Sequence, residues 1–282
     1  MMSDVPYAEV IGDPIAHSKS PFIHNFWLER LGMAGDYRAT RVVADELPEF
    51  LKRRRSDALW RGCNVTMPLK LAASALLDEH RSPARLHEPI NLILKEGERL
   101  CGTNTDVAGV MESLRKVIAS PGGALLKPDR GDLSAVVLGS GGVLLSVTRA
   151  LKTLGYHAVT VVARSEDKLR GLLAEGAGQL RFLPWGAPLP PSDLLVNATP
   201  LGMNGRPLLP YDATSVLPAG VVFEMIYDPL STPLLQDAAA RGLRCVDGLQ
   251  MLVAQAAPSF EQLFGKPPPR EHDDELRKLL TS

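Results

Sequence analysis

Short apolar runs alternate with amphipathic stretches along most of the 282 residues. This alternation is typical of α/β proteins, in which strand–helix units bury nearly apolar strands in a parallel sheet. The predicted strands are Tyr7–Ile11, Tyr37–Val43, Gly62–Thr66, Asn91–Lys95, Arg99–Cys101, Ser134–Leu138, Ala158–Val162, Leu194–Val196 and Val221–Met225. The predicted helices start at Ser20-Pro21, with Ser20 as N-cap, and cover Glu46–Arg55, Leu69–Leu77, Asp106–Ala119, Val143–Leu154, Asp167–Leu173, Gly248–Phe264 and a last stretch from about Glu271.

Two stretches between these elements have the composition of turns and loops. The chain changes character after the turn-rich stretch from Pro121 to Gly131. Residues Leu183–Ser192 contain four prolines, which predicts an exposed loop. A chain of 282 residues is long enough for two domains of ordinary size.

Composition and charge exclude several classes of function. A net charge of −1 leaves no basic field for phosphate contacts, so we expect no nucleic-acid partner. Apolar runs of membrane-spanning length and the layout of a signal peptide are both missing, so we expect a cytoplasmic protein without a membrane partner. Cys63, Cys101 and Cys245 are too widely spaced for a disulfide framework or a zinc site. We therefore predict small buried thiols and no metal.

A glycine-rich turn separates a predicted buried strand from the helix that follows it. The turn consists of Gly139, Ser140, Gly141, Gly142 and Val143. In this setting glycines let the backbone approach a diphosphate, which also meets the N–H groups at the start of the helix. The turn predicts a dinucleotide site, and the alternative is an ordinary glycine-containing loop.

The end of the next strand bears on the choice of dinucleotide. An acidic residue there would accept hydrogen bonds from the adenosine ribose and favour NAD. The chain instead has Ala163, Arg164 and Ser165, with Lys168 one helical turn later. A guanidinium and a hydroxyl suit a 2′-phosphate. The segment therefore favours NADP, and NAD is the alternative.

Polar clusters follow three predicted strands. One contains Ser18 and Ser20, beside the start of a helix, where two hydroxyls suit a carboxylate. The second runs from Asn64 through Thr66 to Lys70, and the third ends at Asp106. Substrates of open α/β sheets bind beyond the carboxyl ends of strands, so we expect these loops to converge on one crevice.

The sequence resembles the shikimate dehydrogenase family along nearly its whole length. The matching motifs, in the order of the family, are Gly12-x-Pro14-x-x-His17-Ser18-x-Ser20-Pro21-x-x-His24-Asn25, Asn64-Val65-Thr66-x-Pro68-x-Lys70, Gly102-x-Asn104-Thr105-Asp106-x-x-Gly109, the glycine-rich turn, Asn197-Ala198-Thr199-Pro200-x-Gly202-Met203, Tyr227-x-Pro229 and Gly248-x-x-Met251-Leu252-x-x-Gln255-Ala256.

The resemblance implies a role for each matching position. Lys70 and Asp106 would bracket the reacting C3 oxygen and the neighbouring hydroxyl of the substrate. Ser18 and Ser20 would hold its carboxylate with help from Tyr227, and Thr66, Asn91 and Gln255 would orient its ring. The cofactor would lie against Asn197, Thr199, Pro200, Met203, Met225, Gly248 and Met251.

The chemistry of a lysine–aspartate pair agrees with this resemblance. Hydride transfer to a ketone leaves a developing alkoxide, which needs a proton donor within hydrogen-bond reach. An ammonium such as that of Lys70 donates the proton, while Asp106 holds it in place. His17 and His24 lack a nearby third ligand for a metal. We expect His17 to support its loop and His24 to sit on its helix.

Several positions depart from the family pattern. The usual Gly-Ala-x-Asn-Thr segment is Glu88-Pro89-Ile90-Asn91-Leu92, so that Leu92 would remove a hydroxyl near the ring. The usual Asn-Arg-Thr phosphate clamp is Ala163-Arg164-Ser165, and an aspartate near the nicotinamide pocket is Glu224. These departures also fit a divergent paralogue of the biosynthetic enzyme.

We therefore predict an α/β protein of two domains. Residues 1–106 and 247–282 would form the substrate domain, and residues 107–246 a Rossmann-type domain. The expected activity is the reversible NADP(H)-dependent reduction of 3-dehydroshikimate, a hydroxylated cyclic carboxylate, by a monomer or homodimer. The alternatives are a quinate or aminoshikimate dehydrogenase that uses NAD(H), and a non-catalytic regulator that binds nucleotide or metabolite.

Overall fold

The chain divides into two compact α/β units, each built on its own six-stranded sheet. The computed structural model describes residues 5–119, 133–175 and 179–282. The predicted turns between Pro121 and Gly131 and the side chain of Lys168 lie outside the described residues. The first unit consists of residues Met1–Asp106 and Gln255–Ser282, and the second of Val107–Ala254. The prediction of a two-part α/β fold is confirmed.

The first unit contains a mixed sheet with the strand order β2-β1-β3-β5-β6-β4. Strand β5 runs antiparallel to both of its neighbours, and the other strand pairs are parallel. The carboxyl ends of β1, β3 and β6 consequently lie at the same edge of the sheet. The strands are β1 (Tyr7–Gly12), β2 (Asp36–Arg41), β3 (Trp60–Val65), β4 (Glu79–His80), β5 (Leu92–Glu96) and β6 (Arg99–Thr103).

Helices cover both faces of this sheet. Successive side chains of a strand point to opposite faces of the sheet, so each face has its own core. In β1, Tyr7 and Ile11 pack into one core, and Ala8 and Val10 pack into the other. The helices are α1 (Ser20–Arg30), α2 (Leu47–Arg55), α3 (Lys70–Ser74), the second half of α8 (Gly248–Phe264) and α9 (Asp273–Thr281).

Two helix predictions in this unit are corrected by the structure. Ser20 is the first residue of α1 and not its N-cap, because the chain already turns into the helix at Lys19. The helix predicted over Leu69–Leu77 is five residues long, since it ends at Ser74, whose hydroxyl and main-chain oxygen contact the His80 ring at 3.0 and 2.9 Å. The short strand β4 was not predicted.

The second unit contains a parallel sheet with the strand order β12-β11-β10-β7-β8-β9. The direction of winding reverses between β7 and β10, which is the switch point where doubly wound folds bind nucleotides. The strands are β7 (Leu133–Leu138), β8 (Tyr156–Ala163), β9 (Leu180–Pro184), β10 (Ser192–Asn197), β11 (Val216–Glu224) and β12 (Arg244–Val246). The helices are α4 (Asp106–Ile118), α5 (Leu144–Thr153), α6 (Arg170–Glu175), α7 (Pro233–Ala240) and the first half of α8.

The proline-rich stretch Leu183–Ser192 is only partly the exposed loop that its composition predicts. Leu183 belongs to β9, Ser192 begins β10, and Trp185 and Leu189 pack against the core of the unit. The hydroxyl of Tyr211 accepts a hydrogen bond from the Gly186 N–H at 2.6 Å. Apolar side chains between the prolines hold this loop against the sheet.

The three cysteines are free, and Cys63 and Cys101 are buried as predicted, whereas Cys245 is half-buried. Within the described ranges, we find no group of three His, Cys, Asp or Glu side chains arranged to hold a metal ion. None of the helices in that same part of the chain is both long and apolar enough to cross a bilayer.

Candidate active site

Lys70 and Asp106 form an ion pair at the carboxyl edge of the first sheet. Lys70 begins α3, shortly after β3 ends, and Asp106 begins α4, shortly after β6 ends. Lys70 Nζ lies 2.5 Å from Asp106 Oδ2, and the two side chains are only 16% and 6% exposed. Two residues predicted from separate strand ends are thus in direct contact.

Asn91 fixes the other oxygen of the Asp106 carboxylate. Its Nδ2 donates to Asp106 Oδ1 at 2.8 Å, to Thr105 Oγ1 at 2.9 Å and to Gln255 Oε1 at 3.3 Å. The side-chain oxygen of Asn91, Oδ1, accepts a hydrogen bond from the Thr105 main-chain N–H at 2.7 Å. Asp106 therefore presents one oxygen to Lys70 and the other to Asn91, so both its position and its orientation are fixed.

Thr105, Ser259 and Asn64 belong to this network although we did not predict them as site residues. Thr105 Oγ1 and Ser259 Oγ are 3.0 Å apart, and Asn64 Nδ2 donates to Ser259 Oγ at 3.0 Å. One feature of the sequence could have identified Thr105 as a site residue: it stands next to Asp106 in the motif Gly102-x-Asn104-Thr105-Asp106. A second signal was the four-residue spacing of Gln255 and Ser259, which places both on one face of α8.

The loops after β1 and β3 are joined by main-chain hydrogen bonds. The Thr66 N–H donates to Ile11 O at 2.9 Å, and the Asp13 N–H donates to Met67 O at 3.1 Å. A Cβ at Gly12 would lie 2.5 Å from Thr66 Cγ2, so only glycine permits this approach. The half-buried Thr66 is therefore fixed beside the first loop.

The first loop presents two hydroxyl groups at the start of α1. Ser18 is half-buried and Ser20 is buried. Ser18 Oγ accepts a hydrogen bond from the Ser20 N–H at 3.3 Å, and Lys19 Nζ between them donates to Leu280 O in α9 at 2.8 Å. Two hydroxyls at a helix N-terminus suit an anion such as a carboxylate.

The two histidines of this region differ in their surroundings. His17 is exposed in the loop, whereas His24 is fully buried on α1 and its ring stacks on Tyr37 with 3.9 Å between ring centroids. Burial lowers the pKa of His24 to about 3, so the ring is neutral. His24 lies on its helix as predicted, and its burial makes it a core residue.

Leu92 corrects one expectation drawn from the family pattern. It is fully buried and packs against Ala8, Tyr37, Leu94 and Cys101 in the core of the first unit. A side chain with no exposed surface does not line a substrate pocket. The change from Thr to Leu92 therefore affects the core and not the ring.

The glycine-rich turn of the second unit matches the shape expected of a diphosphate site. Gly139 has a φ of +110°, and a Cβ there would lie 2.9 Å from Thr199 Cγ2. Apart from Gly141 and its two chain neighbours, no atom of the described residues lies within 4 Å of where a Cβ of Gly141 would be, so this side of the turn is open. Helix α5 starts after Val143 without a side-chain cap, and its first N–H, that of Leu144, donates to Gly141 O at 3.0 Å within the turn.

The end of β8 presents an arginine and a serine. Ala163 is buried, Arg164 is exposed and Ser165 is half-buried. Arg164 makes no ion pair within the part of the chain that the structure describes. Ser165 Oγ accepts a hydrogen bond from the Asp167 N–H at 3.2 Å, and Asp167 pairs with Arg170 at 2.5 Å. The guanidinium of Arg164 is therefore available to a ligand.

The remaining predicted residues of the second unit lie in the segments after β10 and β11 and at the start of α8. Asn197 is fully buried and accepts a hydrogen bond from the Thr199 hydroxyl at 2.7 Å. Pro200 is exposed, and Met203, Met225 and Tyr227 are half-buried. Burial raises the pKa of Tyr227, and Asp228 adds to this rise. A Cβ at Gly248 would lie 2.5 Å from Ile226 O, while Met251 packs in the core.

Comparisons with known proteins agree with this geometry. Residues 10–93 match the family description "Shikimate dehydrogenase substrate binding domain", and residues 248–273 match "Shikimate 5'-dehydrogenase C-terminal domain". The chain is 45% identical to the shikimate dehydrogenase (NADP(+)) of Sphingopyxis alaskensis, over 98% of this chain and 97% of that protein.

Solved structures with a similar fold include a shikimate dehydrogenase and a ketofructose reductase. Shikimate 5-dehydrogenase from Thermus thermophilus, in complex with NADP(H) and shikimate, has a TM-score of 0.81 and 34% identity over 98% of this chain and 100% of that one. The 5-ketofructose reductase of Gluconobacter sp. strain CHM43 also has a TM-score of 0.81, with 26% identity over 98% of this chain and 99% of that one.

Proposed function

The chain belongs to the shikimate dehydrogenase family, and on that premise we propose that it catalyses the reversible NADP(H)-dependent reduction of 3-dehydroshikimate to shikimate. The observation that supports this reaction most directly is the contact of Lys70 Nζ with Asp106 Oδ2 at 2.5 Å in a buried polar network. The relative from Sphingopyxis alaskensis is named shikimate dehydrogenase (NADP(+)).

Lys70 and Asp106 are the catalytic residues of the proposal. The nicotinamide, when bound, supplies or accepts the hydride. Lys70 donates a proton to the oxygen that becomes an alkoxide and stabilises the charge that develops there. Asp106 accepts hydrogen bonds from Lys70 and from a substrate hydroxyl, and Asn91 keeps the carboxylate in that orientation. In the reverse direction Lys70 receives the proton of the alcohol.

The first unit would bind the ring and its carboxylate. Ser18 and Ser20 would hold the carboxylate at the start of α1. Thr66, Asn91 and Gln255 would orient the ring hydroxyls, and the contacts of Thr105 with Asn91 support adding it to this set.

The second unit would bind NADP. Its glycine-rich turn, Gly139–Val143, is open on the side of Gly141 and suits the diphosphate. The exposed Arg164 would pair with the 2′-phosphate, together with the half-buried Ser165. The nicotinamide would lie against the segments Asn197–Met203 and Met225–Tyr227.

A steady-state assay tests this proposal. Purified protein is given shikimate, quinate or a reduced keto-sugar in separate reactions, each with NADP(H) and with NAD(H), and nicotinamide absorbance is followed. We expect the highest kcat/KM for shikimate with NADP. The keto-sugar is included because the architecture also serves a 5-ketofructose reductase. Folded protein that binds NADP but turns over none of these substrates would contradict the enzyme hypothesis.

A further inference from the structure

A buried carboxylate lies at the carboxyl edge of the second sheet and has no part in the chemistry described so far. Glu224 ends β11 and is only 1% exposed. Its Oε1 accepts hydrogen bonds from Asn197 Nδ2 at 2.9 Å and from the Ile226 N–H at 3.1 Å. Its Oε2 accepts one from Thr232 Oγ1 at 3.1 Å and a second from Asn197 Nδ2 at 3.1 Å.

Glu224 thereby connects the segment after β10 with the segment after β11. Asn197, held by Glu224, accepts hydrogen bonds from the Thr199 N–H at 3.1 Å and from the Thr199 hydroxyl at 2.7 Å. Thr199 in turn packs against the glycine-rich turn, since its Cγ2 is 2.9 Å from where a Cβ of Gly139 would be. On the other side, Glu224 holds the backbone at Ile226. These are the two segments assigned above to the nicotinamide.

The groups that donate to Glu224 are all uncharged: the Asn197 amide, the Met225 and Ile226 N–H groups and the Thr232 hydroxyl. Burial raises the pKa of Glu224 to about 7, and its hydrogen bonds only partly oppose this rise. Thr232 caps α7 and can reverse its hydroxyl, so the network can accommodate a protonated carboxyl as well. The ionisable neighbours along the same segment are Tyr227 and Asp228, and Asp228 accepts a hydrogen bond from Asn204 Nδ2 at 2.8 Å.

We propose that Glu224 is a positioning residue that holds both nicotinamide segments and, through its negative charge, favours oxidised over reduced cofactor. The oxidised nicotinamide ring carries a positive charge and the reduced ring is neutral. A carboxylate buried away from water and without a cationic partner among its hydrogen-bond donors attracts the charged ring selectively. This inference rests on the proposed function, because it assumes that these segments flank the nicotinamide.

Direct binding measurements separate the two parts of the proposal. Glu224→Gln keeps the shape of the side chain and removes its charge. At about pH 8.5, calorimetry on the full chain should show NADP⁺ binding weakened about five- to tenfold and NADPH binding changed about twofold or less. Glu224→Asp keeps the charge and shortens the reach. This variant should weaken the binding of NADP⁺ and of NADPH to a similar extent and keep the wild-type ratio of the two affinities.

The pH dependence gives an independent readout. As the pH falls through about 7, the wild type should lose its preference for NADP⁺, because the carboxyl takes up a proton. The NADP⁺ to NADPH affinity ratio of Glu224→Gln should not change over that range. If Glu224→Gln had the wild-type ratio of NADP⁺ to NADPH affinity at every pH, the proposed charge effect would be overturned.

A matched control is Asp193→Asn. Asp193 is also a buried carboxylate of this sheet, but it lies near the amino end of β10 and accepts hydrogen bonds from the Ser134 N–H and hydroxyl, both at 2.9 Å. This variant should lose stability and keep the wild-type affinity ratio. Turnover of shikimate by the wild type, measured in parallel, distinguishes the outcomes. If the wild type is active but Glu224→Gln has the wild-type ratio of NADP⁺ to NADPH affinity, only the inference about Glu224 is wrong. If the wild type does not turn over shikimate, the proposed function is wrong.

Discussion

Lys19 donates a hydrogen bond to the main-chain oxygen of Leu280 at 2.8 Å, so the loop with the two serines is tied to the last turn of α9. A cation at a helix C-terminus is also stabilised by the helix dipole. Because Lys19 stands between Ser18 and Ser20, this contact holds the stretch of backbone that carries both of the hydroxyls proposed for the substrate carboxylate.

Lys19→Met should therefore raise the KM for shikimate about three- to tenfold and leave the KM for NADP and kcat nearly unchanged. Steady-state kinetics with each substrate varied in turn measures the three values. The control is Glu275→Gln, which removes the pair between Arg30 of α1 and Glu275 of α9 without contacting the serine loop. A similar rise in KM in the control would mean that docking of α9, and not Lys19, is responsible.

Lys70→Met should lower kcat about 10²- to 10⁴-fold, because the developing alkoxide loses its proton donor. The Kd for NADP should stay close to the wild-type value, which calorimetry measures on the same sample. Lys52→Met is a suitable control, since Lys52 is 80% exposed on α2. An unchanged kcat in Lys70→Met would remove Lys70 from its proposed role.

Arg164→Ala should raise the KM for NADP about tenfold and the KM for NAD hardly at all, because only NADP has the 2′-phosphate. The comparison variant is Arg170→Ala, which removes a nearby arginine that is already paired with Asp167. Equal losses of both cofactors in Arg164→Ala would show that Arg164 does not recognise the 2′-phosphate.

His24 makes the stability of the protein depend on pH. Its folded-state pKa of about 3 lies below the ordinary value of 6.5, so the unfolded chain binds the extra proton between these values. As the pH drops from about 6.5 towards 3, this residue alone should lower the free energy of unfolding by roughly 1 kcal/mol for each pH unit.

The variant His24→Phe keeps an aromatic ring next to Tyr37 but does not titrate. Urea denaturation at several pH values should show a slope smaller than that of the wild type in the acidic range. His157→Gln, a change at an exposed histidine, should keep the wild-type slope. If His24→Phe had the wild-type slope as well, the acid sensitivity would come from other groups.

Leu92→Thr restores the residue type usual in the family. Because Leu92 is fully buried, the change should cost about 2–3 kcal/mol of stability and leave the KM for shikimate unaltered. Denaturant titration and kinetics on the same preparation give the two values. A lower KM with unchanged stability would place residue 92 at the substrate after all.

Elements with a clear hydrophobic period were predictable from the sequence, and elements without one were not. Helix α8 was predicted with both of its ends, Gly248 and Phe264. Helix α7 and the strands β4, β9 and β12 were missed. Strand β9 ends inside the stretch predicted as a loop, and β4 and β12 contain two and three residues, too few to show any alternation. Their pairing depends on neighbours far away in the sequence, as in the contact of β12 with β11.

In the candidate site, the residues that follow the ends of strands could be predicted from the sequence. Lys70 and Asp106 each follow a predicted strand, and parallel strands bring such residues to one edge. The contact between Thr105 and Ser259 joins residues 154 positions apart, and no local pattern specifies it. Leu92 was misjudged because a family motif indicates which residues lie near a site, but not which way each side chain points.

The network around Asn91 has a consequence for the order in which the protein is made. Asn91, Thr105 and Asp106 emerge from the ribosome early, but Gln255 and Ser259 follow only after the second unit has been synthesised. Chain growth at about 5–20 residues per second separates the two groups by many seconds. Until then the nascent first unit lacks α8 and α9, and with them Ser259, which contacts Asn64, and Leu280, which contacts Lys19. The site we propose for catalysis is therefore completed only after α8 and α9 have been synthesised.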